Sequence, residues 1–355
     1  MATHLVACAL ARGAIVSEDG AMTPAWFIVG RAGQRVGGIR KLTLRGVPYV
    51  MFAGADGHPA AILDRCPHRG VPLSLGKARS GRLACAYHGW EFDGEGRCAL
   101  VPALGPGGTP PRGACVEALV LRERQGWLWA WQGSVEPEGE PPEVPGHGWP
   151  GWGHGRFSQI LEARVDEVIE NFIDCPHTGY VHGGLFRTPA DHEAVHHVRQ
   201  DPSGVTVDIE EVARPRSLLG RLLVRSGMRV EHVDRFMPPA TVEVRYRFGT
   251  RWEVVGRQTC TPMSPWQTAV HVDVAWRLSP LTPVLAPVIA LVGRLVLGQD
   301  RAILEHQARH LRRLGDQFCS TEADVTNLWI QGWRRRWAKG EPHGTRHGKT
   351  VRFRL

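Results

Sequence analysis

The stretch from Cys66 to His88 constrains the fold of this chain more than any other part of the sequence. It reads C-P-H-R-G-V-P-L-S-L-G-K-A-R-S-G-R-L-A-C-A-Y-H, and a glycine and a tryptophan follow it. Two mixed pairs, Cys66 with His68 and Cys85 with His88, each stand in a short segment that ends in a glycine. Because glycine lets the backbone come close to a bound group, the pattern predicts two loops that present thiolates and imidazoles together.

Two cysteines and two histidines suit a [2Fe–2S] cluster in which the cysteines hold one iron and the histidines the other. Imidazole ligands raise the reduction potential of such a cluster above that of an all-cysteine one. The alternative is a structural zinc site, since the same four ligands suit tetrahedral zinc. Zinc-finger spacing groups Cys with Cys and His with His, whereas each pair here is mixed. The motif therefore favours the cluster, and it resembles the Rieske pattern in full.

Length and charge limit the classes of function. The 355 residues allow two domains of about 150 residues each, and a hydrophobic content of 43% supports well-packed cores. The net charge is +8, but lysine and arginine are scattered, so nothing indicates a nucleic-acid partner. An acidic electron-donor protein fits the sign of the charge. We expect Arg334–Arg336 and the tail to Leu355 to form an exposed basic surface.

The remaining cysteines and the apolar segments predict a cytoplasmic protein without a transmembrane span. Six cysteines show no disulfide-framework spacing, and we expect free buried thiols in a reducing compartment. The N-terminus lacks the basic and apolar regions of a signal peptide. The apolar run from Leu281 to Leu297 is short for a span and contains two prolines, so we expect a buried or interfacial segment. The six cysteines are Cys8, Cys98, Cys115, Cys175, Cys260 and Cys319.

Short alternating segments from Ala25 onwards predict a small all-β domain with its metal loops at one end. A hairpin turn is marked by Asp56 and Gly57. We assign residues 1–24 to an N-terminal segment, 25–135 to this domain and the Pro-, Gly- and Glu-rich residues 136–151 to a linker. The strand candidates are A-W-F-I-V-G, K-L-T-L, V-P-Y-V-M-F-A, Ala60–Leu63, Glu91–Phe92, Cys115–Leu121 and Trp127–Trp131.

Residues 152–340 form the second predicted domain, and residues 341–355 a basic tail. A strand at Phe157–Val165 precedes a helix for which Asp166 is the N-cap candidate. Four later segments alternate like the strands of an antiparallel sheet, and the chain from about Ala286 has a helical pattern. The four segments are Gly204–Val212, Ala240–Phe248, Trp252–Thr259 and Thr268–Leu278.

A second group of ligand-type residues lies in E-N-F-I-D-C-P-H-T-G-Y-V-H, which ends at His182. Asp174 and His177 are three residues apart and share a helix face. His177 and His182 are separated by about 140° of rotation in a regular helix, so they converge only if the helix is distorted. Pro176 and Gly179 are placed to distort it. Two histidines and a carboxylate are the ligands that non-haem Fe(II) prefers, although packed or solvated histidines are the alternative.

With a Rieske motif in the same chain, the pattern N-x-x-D-x-x-H-x-x-x-x-H from Asn171 to His182 resembles the catalytic motif of Rieske non-haem iron oxygenase α subunits. The resemblance implies an α+β chain. A small all-β Rieske [2Fe–2S] domain precedes a helix-grip-like catalytic domain with an antiparallel sheet and C-terminal helices. It also implies mononuclear Fe(II) at His177 and His182, with O2 as co-substrate.

The resembled family uses a carboxylate far downstream as the third iron ligand, and the matching stretch G-Q-D-R-A-I-L-E-H-Q contains Asp300. We expect Asp300 at the start of a helix, where its alternative role is to stabilise the helix dipole. Glu305 and Asp316 are the fallback candidates for the ligand. The expected inward face of this helix is Ile303, Leu304, Gln307, Leu311 and Leu314.

The resemblance also implies a route for electrons. In the family, the acid three residues before the first histidine ligand hydrogen-bonds that ligand and a cluster histidine of the neighbouring subunit. Asp174 matches this acid, and Asn171 is a candidate to support the same junction. Because the two centres of one subunit lie too far apart in the family for electron transfer, the resemblance implies a head-to-tail homotrimer.

The predicted function is that of a terminal oxygenase. No G-x-G-x-x-G fingerprint is present, so NAD(P)H electrons must come from a separate ferredoxin or flavin reductase. The motif style resembles the monooxygenase and demethylase branch. The apolar run before Asp300 indicates a hydrophobic substrate, polycyclic or steroid-like, and the alternative is O- or N-demethylation or hydroxylation of a small aromatic compound. An electron carrier and a metal-stabilised interaction module are disfavoured, since the second domain is large and has its own ligand set.

Three histidines after the second motif form a further cluster in the sequence. A second metal is one interpretation of them, and a solvated loop is the one that we favour. They are His192, His196 and His197.

Overall fold

A computed structural model describes residues 23–34, 36–133, 136–137, 139–183, 193–212, 229–250, 252–278, 282, 285–341 and 343–354. The predictions for Cys8 and His192 lie outside the described residues. Contacts divide the chain into two compact units, Met1–Pro142 and Glu143–Leu355. The domain boundaries and the linker at 136–151 stay predictions.

The first unit contains three small antiparallel sheets within its described residues. Apolar side chains from two of these sheets meet in one core, formed by Val50, Phe52 and Ile62 together with Leu83 and Phe92. The first sheet has the order β1 (Ala25–Arg31), β10 (Trp127–Gln132), β9 (Val120–Arg124). The second is β2 (Arg40–Leu44), β3 (Val47–Ala53), β4 (Pro59–Leu63), and the third is β5 (Lys77–Arg79), β6 (Arg82–Ala84), β7 (Glu91–Phe92), β8 (Cys98–Leu100).

Most of the predicted strands of this unit are confirmed. The hairpin turn is also confirmed, because the Gly54 amide donates to the His58 carbonyl at 2.8 Å and Gly57 has a φ of +81°. The prediction for Cys115–Leu121 is wrong in its first half. Cys115 and Ala118 make only isolated bridges, and the strand begins at Val120.

The expectation of free buried thiols needs correction. Cys175 and Cys260 are free and buried, as expected. Cys98 is only partly buried and Cys319 is exposed. Cys115 is disulfide-bonded, so the sequence pattern was a poor guide to this residue.

The described part of the second unit is built on an antiparallel sheet of eight strands. Three of these strands, Glu193–Asp201, Arg229–Met237 and Arg346–Arg354, were not predicted. The sheet order is β11 (Gly153–Leu161), β17 (Gln267–Leu278), β16 (Trp252–Ser264), β15 (Thr241–Phe248), β14 (Arg229–Met237), β13 (Gly204–Val212), β12 (Glu193–Asp201), β18 (Arg346–Arg354).

Four helices of the described chain belong to the second unit: α1 (Val165–Ile173), α2 (His177–Val181), α3 (Ala286–Leu314) and α4 (Val325–Ala338). Leu304 of α3 and Trp333 of α4 share one core with Ile169 of α1 and with Phe236 and Val272 of the sheet. Each such side chain stabilises the fold by roughly 1.5–3 kcal/mol when it leaves water. The α+β class with an antiparallel sheet and C-terminal helices is thus confirmed.

The start of α1 differs from the prediction. Helix α1 begins at Val165, so the predicted strand Phe157–Val165 ends earlier, at Leu161. Asp166 is not the N-cap, because the residue in that position is Arg164. Asp166 lies in the first turn, where an acid is favourable, and it forms an ion pair with Arg334.

Helix α3 begins at Ala286, as the helical pattern predicted, but Asp300 lies in its middle and not at the start of a helix. Pro287 occupies the first turn, where a missing amide hydrogen costs little, so it does not exclude a helix. Ile303 and Leu314 are exposed, which contradicts the predicted inward face. The inward residues are Leu297, Asp300, Leu304 and Ala308, at spacings of three and four.

The apolar run before Asp300 is only partly buried. Within α3, Val288, Leu291 and Leu295 are exposed, whereas Leu297 is buried. None of the helices in the described ranges is long and apolar enough to cross a membrane.

The expected basic surface is also only partly present. Arg335 is exposed, but Arg334 pairs with Asp166 and donates to the Pro239 carbonyl. Most of the basic tail is strand β18, which pairs with β12. A β-strand at the edge of a sheet can carry outward-facing charges without being a free tail.

Candidate functional site

The two Cys-His segments of the first unit form loops with the same backbone pattern. In the first, the Cys66 amide donates to the Val71 carbonyl at 2.8 Å, and the Gly70 amide donates to the Cys66 carbonyl at 2.8 Å. In the second, Cys85 makes the equivalent pair of bonds, to the residue after Gly89 at 2.8 Å and from Gly89 at 3.1 Å. The two loops therefore repeat one closed turn that begins at a cysteine.

A glycine closes each turn because the backbone is left-handed there. Gly70 has a φ of +75° and Gly89 a φ of +70°. Residues with a side chain reach this region at a cost, whereas glycine reaches it freely. The trailing glycine of both sequence segments is thus required by the turn itself.

The four predicted cluster ligands converge at these loops. Cys66 and Cys85 are both buried. Burial, together with the neighbouring Cys85 thiol, raises the pKa of Cys66 to about 11 despite an opposing hydrogen bond from the His68 amide. The rings of His68 and His88 lie 4.6 Å apart between centroids.

One buried atom tests whether a cluster fits here. Within the described residues, no hydrogen-bond partner reaches Nδ1 of His68. A buried polar atom without a partner is costly unless something else binds it. Loss of solvation, followed by the charges of His88 and Arg69, also lowers the pKa of His68, so its ring stays neutral as a metal ligand must. The donor set and this atom fit a [2Fe–2S] cluster.

The second predicted motif is broken at Pro176, as expected. Helix α1 ends at Ile173, and Asp174 caps it in an extended conformation. A new short helix, α2, starts at His177 with Pro176 as its N-cap. Gly179 is not at the break and lies inside α2. Both histidines lie after this break, His177 at the start of α2 and His182 at its C-cap, and their ring centroids are 5.2 Å apart.

The break and helix α3 bring three predicted ligands together. Nε2 of His182 lies 3.1 Å from Oδ1 of Asp300, and Nε2 of His177 lies 3.5 Å from the same oxygen. The ligand atoms all lie within 4.8 Å of one another, and the Asp300 and His182 side chains are buried. A site of two histidines and one carboxylate suits non-haem Fe(II) and leaves coordination positions open. The residues present therefore fit a mononuclear iron.

Hydrogen bonds fix how these side chains point. Nδ1 of His182 donates to Oε1 of Gln299 at 2.9 Å, and Nδ1 of His177 donates to the backbone carbonyl of Asp174. Nδ2 of Asn171 donates to Oδ1 of Asp300 at 3.3 Å. When each ring is neutral with its hydrogen on Nδ1, as these acceptors favour, its Nε2 presents a lone pair to a metal ion at the centre.

Electrostatics favour a cation between these groups. Burial would lower the pKa of His177, but hydrogen bonds to Asp174 and Asp300 outweigh burial and raise it to about 9. Burial would raise the pKa of Asp300, yet its contacts with His177 and His182 lower it. A positive charge is thus favoured beside the ionised carboxylate of Asp300, and a bound metal ion would supply that charge.

The other predicted candidates lie elsewhere. Glu305 pairs with Arg301 at 2.8 Å, and Asp316 pairs with Arg164 at 3.1 Å. Neither belongs to the group of three ligands. His196 and His197 are not in a solvated loop, because both lie on β12, with His196 buried.

Sequence reasoning missed Gln299, which holds His182. Gln299 directly precedes Asp300 in the chain, but an adjacent residue on a helix normally points to another side. Only the position of His182 next to α3 reveals the contact, which joins residues 117 positions apart. A second buried cluster, Cys175, His232 and Asp234, was also missed, since two of its members lie on the unpredicted strand β14.

Two protein families match the two units. Residues 25–119 match the Rieske [2Fe-2S] domain. Residues 161–340, half of the chain, match the vanillate O-demethylase oxygenase C-terminal domain. The chain belongs to the Rieske non-haem iron oxygenases. The cofactors of this Rieske oxygenase are accordingly a [2Fe–2S] cluster and a mononuclear non-haem iron.

Relatives by sequence match a limited region of this Rieske oxygenase. Chloroplastic chlorophyllide a oxygenase of Chlamydomonas reinhardtii is 39% identical over 148 residues, which are 40% of this chain and 22% of the relative. A vanillate O-demethylase oxygenase subunit of a Pseudomonas species is 37% identical over 136 residues, which are 38% of this chain and 40% of the relative. The chain thus spans well under half the length of these relatives.

Solved structures support the fold over most of the chain. Dicamba monooxygenase bound to dicamba has a TM-score of 0.75 and 20% identity, covering 89% of this chain and 97% of that one. NdmA of Pseudomonas putida CBB5 has a TM-score of 0.69 and 21% identity, covering 88% and 90%. At this identity the likeness establishes the Rieske oxygenase fold and nothing finer.

Proposed function

We propose that this protein is a terminal oxygenase component that uses O2 to hydroxylate, or oxidatively demethylate, a hydrophobic substrate. The observation that carries the proposal is the convergence of His177, His182 and Asp300 at one buried point. A protein that only carried electrons would need no second ligand set of this kind. The Rieske electron carrier and the interaction module are therefore the weaker interpretations.

We propose that the ligands are those expected from the sequence. Cys66 and Cys85 hold one iron of the cluster, and His68 and His88 hold the other. The support is their placement on matched loops, together with the orphaned Nδ1 of His68. Because the cluster has mixed ligands, it accepts electrons at a higher potential than an all-cysteine cluster.

His177, His182 and Asp300 are proposed to hold the mononuclear iron, which supplies open positions for oxygen chemistry when bound. The protein contributes orientation. Gln299 accepts a hydrogen bond from His182, and Asn171 donates one to Asp300, so both ligands keep their direction. Partners of this kind commonly change metal affinity by about 10–100-fold when they are removed.

Asp174 is proposed to be the electron-transfer bridge between the two centres, with Asn171 in support. Its Oδ2 accepts a hydrogen bond from the His177 backbone amide at 3.0 Å and lies 3.4 Å from Nδ1 of the same residue. This contact ties Asp174 to one proposed iron ligand. Transfer between subunits requires the head-to-tail homotrimer that the family resemblance implies. Light scattering tests it, with three 39.2 kDa chains expected per particle.

Electrons are proposed to come from NAD(P)H through a separate ferredoxin or flavin reductase. The support is the family membership, together with the lack of a dinucleotide-binding fingerprint in the sequence. The cytoplasmic location stays a prediction.

The structure changes the balance between the two substrate classes. The apolar run before Asp300 is the feature that suggested a polycyclic or steroid-like substrate. Val288, Leu291 and Leu295 of that run face solvent, so they do not support an apolar pocket. The match to the vanillate O-demethylase family instead favours demethylation or hydroxylation of a small aromatic compound.

The described strands also favour an uncharged substrate. On the sheet face that packs against the helices, β14 to β17 present apolar residues with a few polar ones, and none of their described inward positions is lysine or arginine. Asp234 lies on this face with His232, and β-register places Val207 and Val244 beside Asp234. Among the described inward positions of β14 to β17, a substrate carboxylate would meet no lysine or arginine to offset the loss of its hydration.

Single turnover tests the proposal. The reduced protein is mixed with O2 and an uncharged aryl methyl ether, and formaldehyde is measured. Demethylation consumes O2, two electrons and two protons, and it yields the phenol, formaldehyde and water. We expect formaldehyde or a ring-hydroxylated product, with about three irons per chain. A preparation with about two irons per chain and no product from any aromatic or polycyclic substrate would leave the electron carrier as the function.

A further inference from the structure

A second group of ligand-type side chains lies next to the proposed iron site. Cys175 stands between α1 and α2, and His232 and Asp234 project from the same face of β14. Nε2 of His232 lies 2.8 Å from Oδ1 of Asp234, and Sγ of Cys175 lies 3.7 Å from Oδ2 of Asp234. The three ligand atoms lie within 4.8 Å of one another, and the three residues are only 1–4% exposed.

Most neighbours of this group are apolar, and Tyr246 stacks on the His232 ring with 4.1 Å between centroids. Strand register places Ile209 beside His232 and Val207 beside Asp234, and Val205 one position further on is also fully buried. An ionised carboxylate in such a setting is costly unless a positive charge balances it. A bound cation would offset this cost, and it would explain why a thiol, an imidazole and a carboxylate are buried together.

We propose that Cys175, His232 and Asp234 form a second metal site that takes Zn²⁺. This donor set has a thiol where the proposed iron site has its second imidazole. A thiolate with imidazole and carboxylate oxygen suits tetrahedral zinc, and a water molecule would complete the four ligands. On binding, the Cys175 thiol releases its proton to solvent, so the two anionic ligands neutralise the metal charge.

The position of Cys175 gives the site a role. It lies two residues before His177, and only Pro176 separates them. A metal ion bound by Cys175 and by the two ligands on β14 would hold residues 175–177 against the sheet. It would thereby limit the movement of His177. Zinc at this site holds the iron ligand in place and takes no part in the reaction itself.

Cobalt(II) provides a spectroscopic test, because a thiolate bound to cobalt gives a charge-transfer absorption in the near ultraviolet. The holoprotein, with its cluster and mononuclear iron in place, is titrated anaerobically with Co²⁺ and then with Zn²⁺. We expect one cobalt per chain with a thiolate band, and Zn²⁺ should displace it. Cobalt is counted by elemental analysis after gel filtration.

Variants locate the metal. Cys175→Ala should abolish the band, and Asp234→Asn should weaken cobalt binding at least tenfold. Cys260→Ala is the matched control, since Cys260 is an equally buried free thiol outside the group and its loss should leave the band unchanged. His182→Ala should also keep the band, which separates this site from the proposed iron site. Far-ultraviolet circular dichroism and a cooperative thermal unfolding transition report that the second unit of each variant is folded.

Two outcomes would overturn the site. One is wild-type protein that binds no cobalt through a thiolate. The other is a band that survives Cys175→Ala. Neither result depends on turnover, so the terminal oxygenase function and the second metal site can fail separately. A rise in melting temperature with Zn²⁺ in wild-type protein, absent in Cys175→Ala, would add support because a ligand that binds only the folded state stabilises it.

Discussion

The two proposed metal centres of this Rieske oxygenase are built in opposite ways. The cluster ligands come from one short stretch, on two loops that repeat the same backbone turn. The proposed iron ligands come from the two ends of α2 and from the middle of α3, and the contact between His182 and Gln299 joins residues 117 positions apart. The first centre depends on local turn geometry, whereas the second depends on how a long helix packs.

This difference implies that each centre can be lost without the other. Local turns tolerate changes in distant packing, and a packed helix tolerates changes in a loop of another unit. The predictions below test this independence, beginning with the largest expected effect.

Replacing Asp300 with alanine should remove the mononuclear iron and abolish turnover. The reason is that the two histidines alone lack the carboxylate that completes the ligand set. Iron should fall from about three to about two per chain, while the visible spectrum of the cluster stays intact. Asp316→Ala is the control, because Asp316 is exposed and pairs with Arg164. Turnover that survives Asp300→Ala would refute the assignment.

Replacing Cys85 with serine should remove the cluster and leave the mononuclear iron in place. A hydroxyl is a poor substitute for a thiolate at iron, so the visible absorption and the paramagnetic signal of the reduced cluster should disappear. Fe(II) binding at the second centre should change by less than about threefold, since distant sites act independently. Cys98→Ser is the matched control. Loss of the mononuclear iron together with the cluster in Cys85→Ser would show that the two centres are not independent.

Replacing Gln299 with leucine should weaken Fe(II) binding by about 10–100-fold, because Nδ1 of His182 loses its acceptor. Gln299→Glu should restore most of the affinity, as a carboxylate also accepts this bond. Gln307→Leu is the control on the same helix, at an exposed position. Equilibrium dialysis of the iron-free second site measures the affinity, and equal affinities for Gln299→Leu and Gln307→Leu would contradict the role of Gln299.

Replacing Gly89 with alanine should destabilise the first unit by about 1–2 kcal/mol, because alanine at a φ of +70° is strained. A Cβ there would also lie 3.1 Å from Cγ of Pro102, whereas at Gly70 the nearest atom is 3.8 Å away. Gly89→Ala should therefore lower the free energy of unfolding more than Gly70→Ala, in denaturant titrations of the cluster spectrum. Equal losses would mean that backbone strain alone matters at both turns.

Much of the fold could be predicted from the alternation of apolar and polar residues. The strands that this alternation did not predict were missed for a physical reason. Strand β14 presents His232 and Asp234 to the interior, so its inward positions look polar in the sequence. Strand β18 has outward-facing arginines and resembles a basic tail until β12 pairs with it. Strands of this kind depend on partners from distant parts of the chain, and periodicity alone does not reveal those partners.

The same limit applies to the second site. The histidine spacing and Pro176 predicted a distortion, and a break is present. The predicted location of Asp300 at the start of a helix was wrong, because the helix that begins at Ala286 continues without interruption to Leu314. Gln299 and the Cys175 cluster had no sequence signal, since each contact crosses between elements.

The sequence by itself determined the cluster loops, the class of fold and the pair His177 and His182, because closed turns and ligand chemistry depend on residue types at short spacings. Asp300, far downstream, was a candidate only through the resemblance to the Rieske oxygenases. Tertiary structure alone decided that Asp300 meets His177 and His182, that Gln299 holds one of them, and that Cys175 faces β14. These contacts arise from packing α1 and α3 on one sheet, and packing is a property of the assembled core that local spacing does not encode.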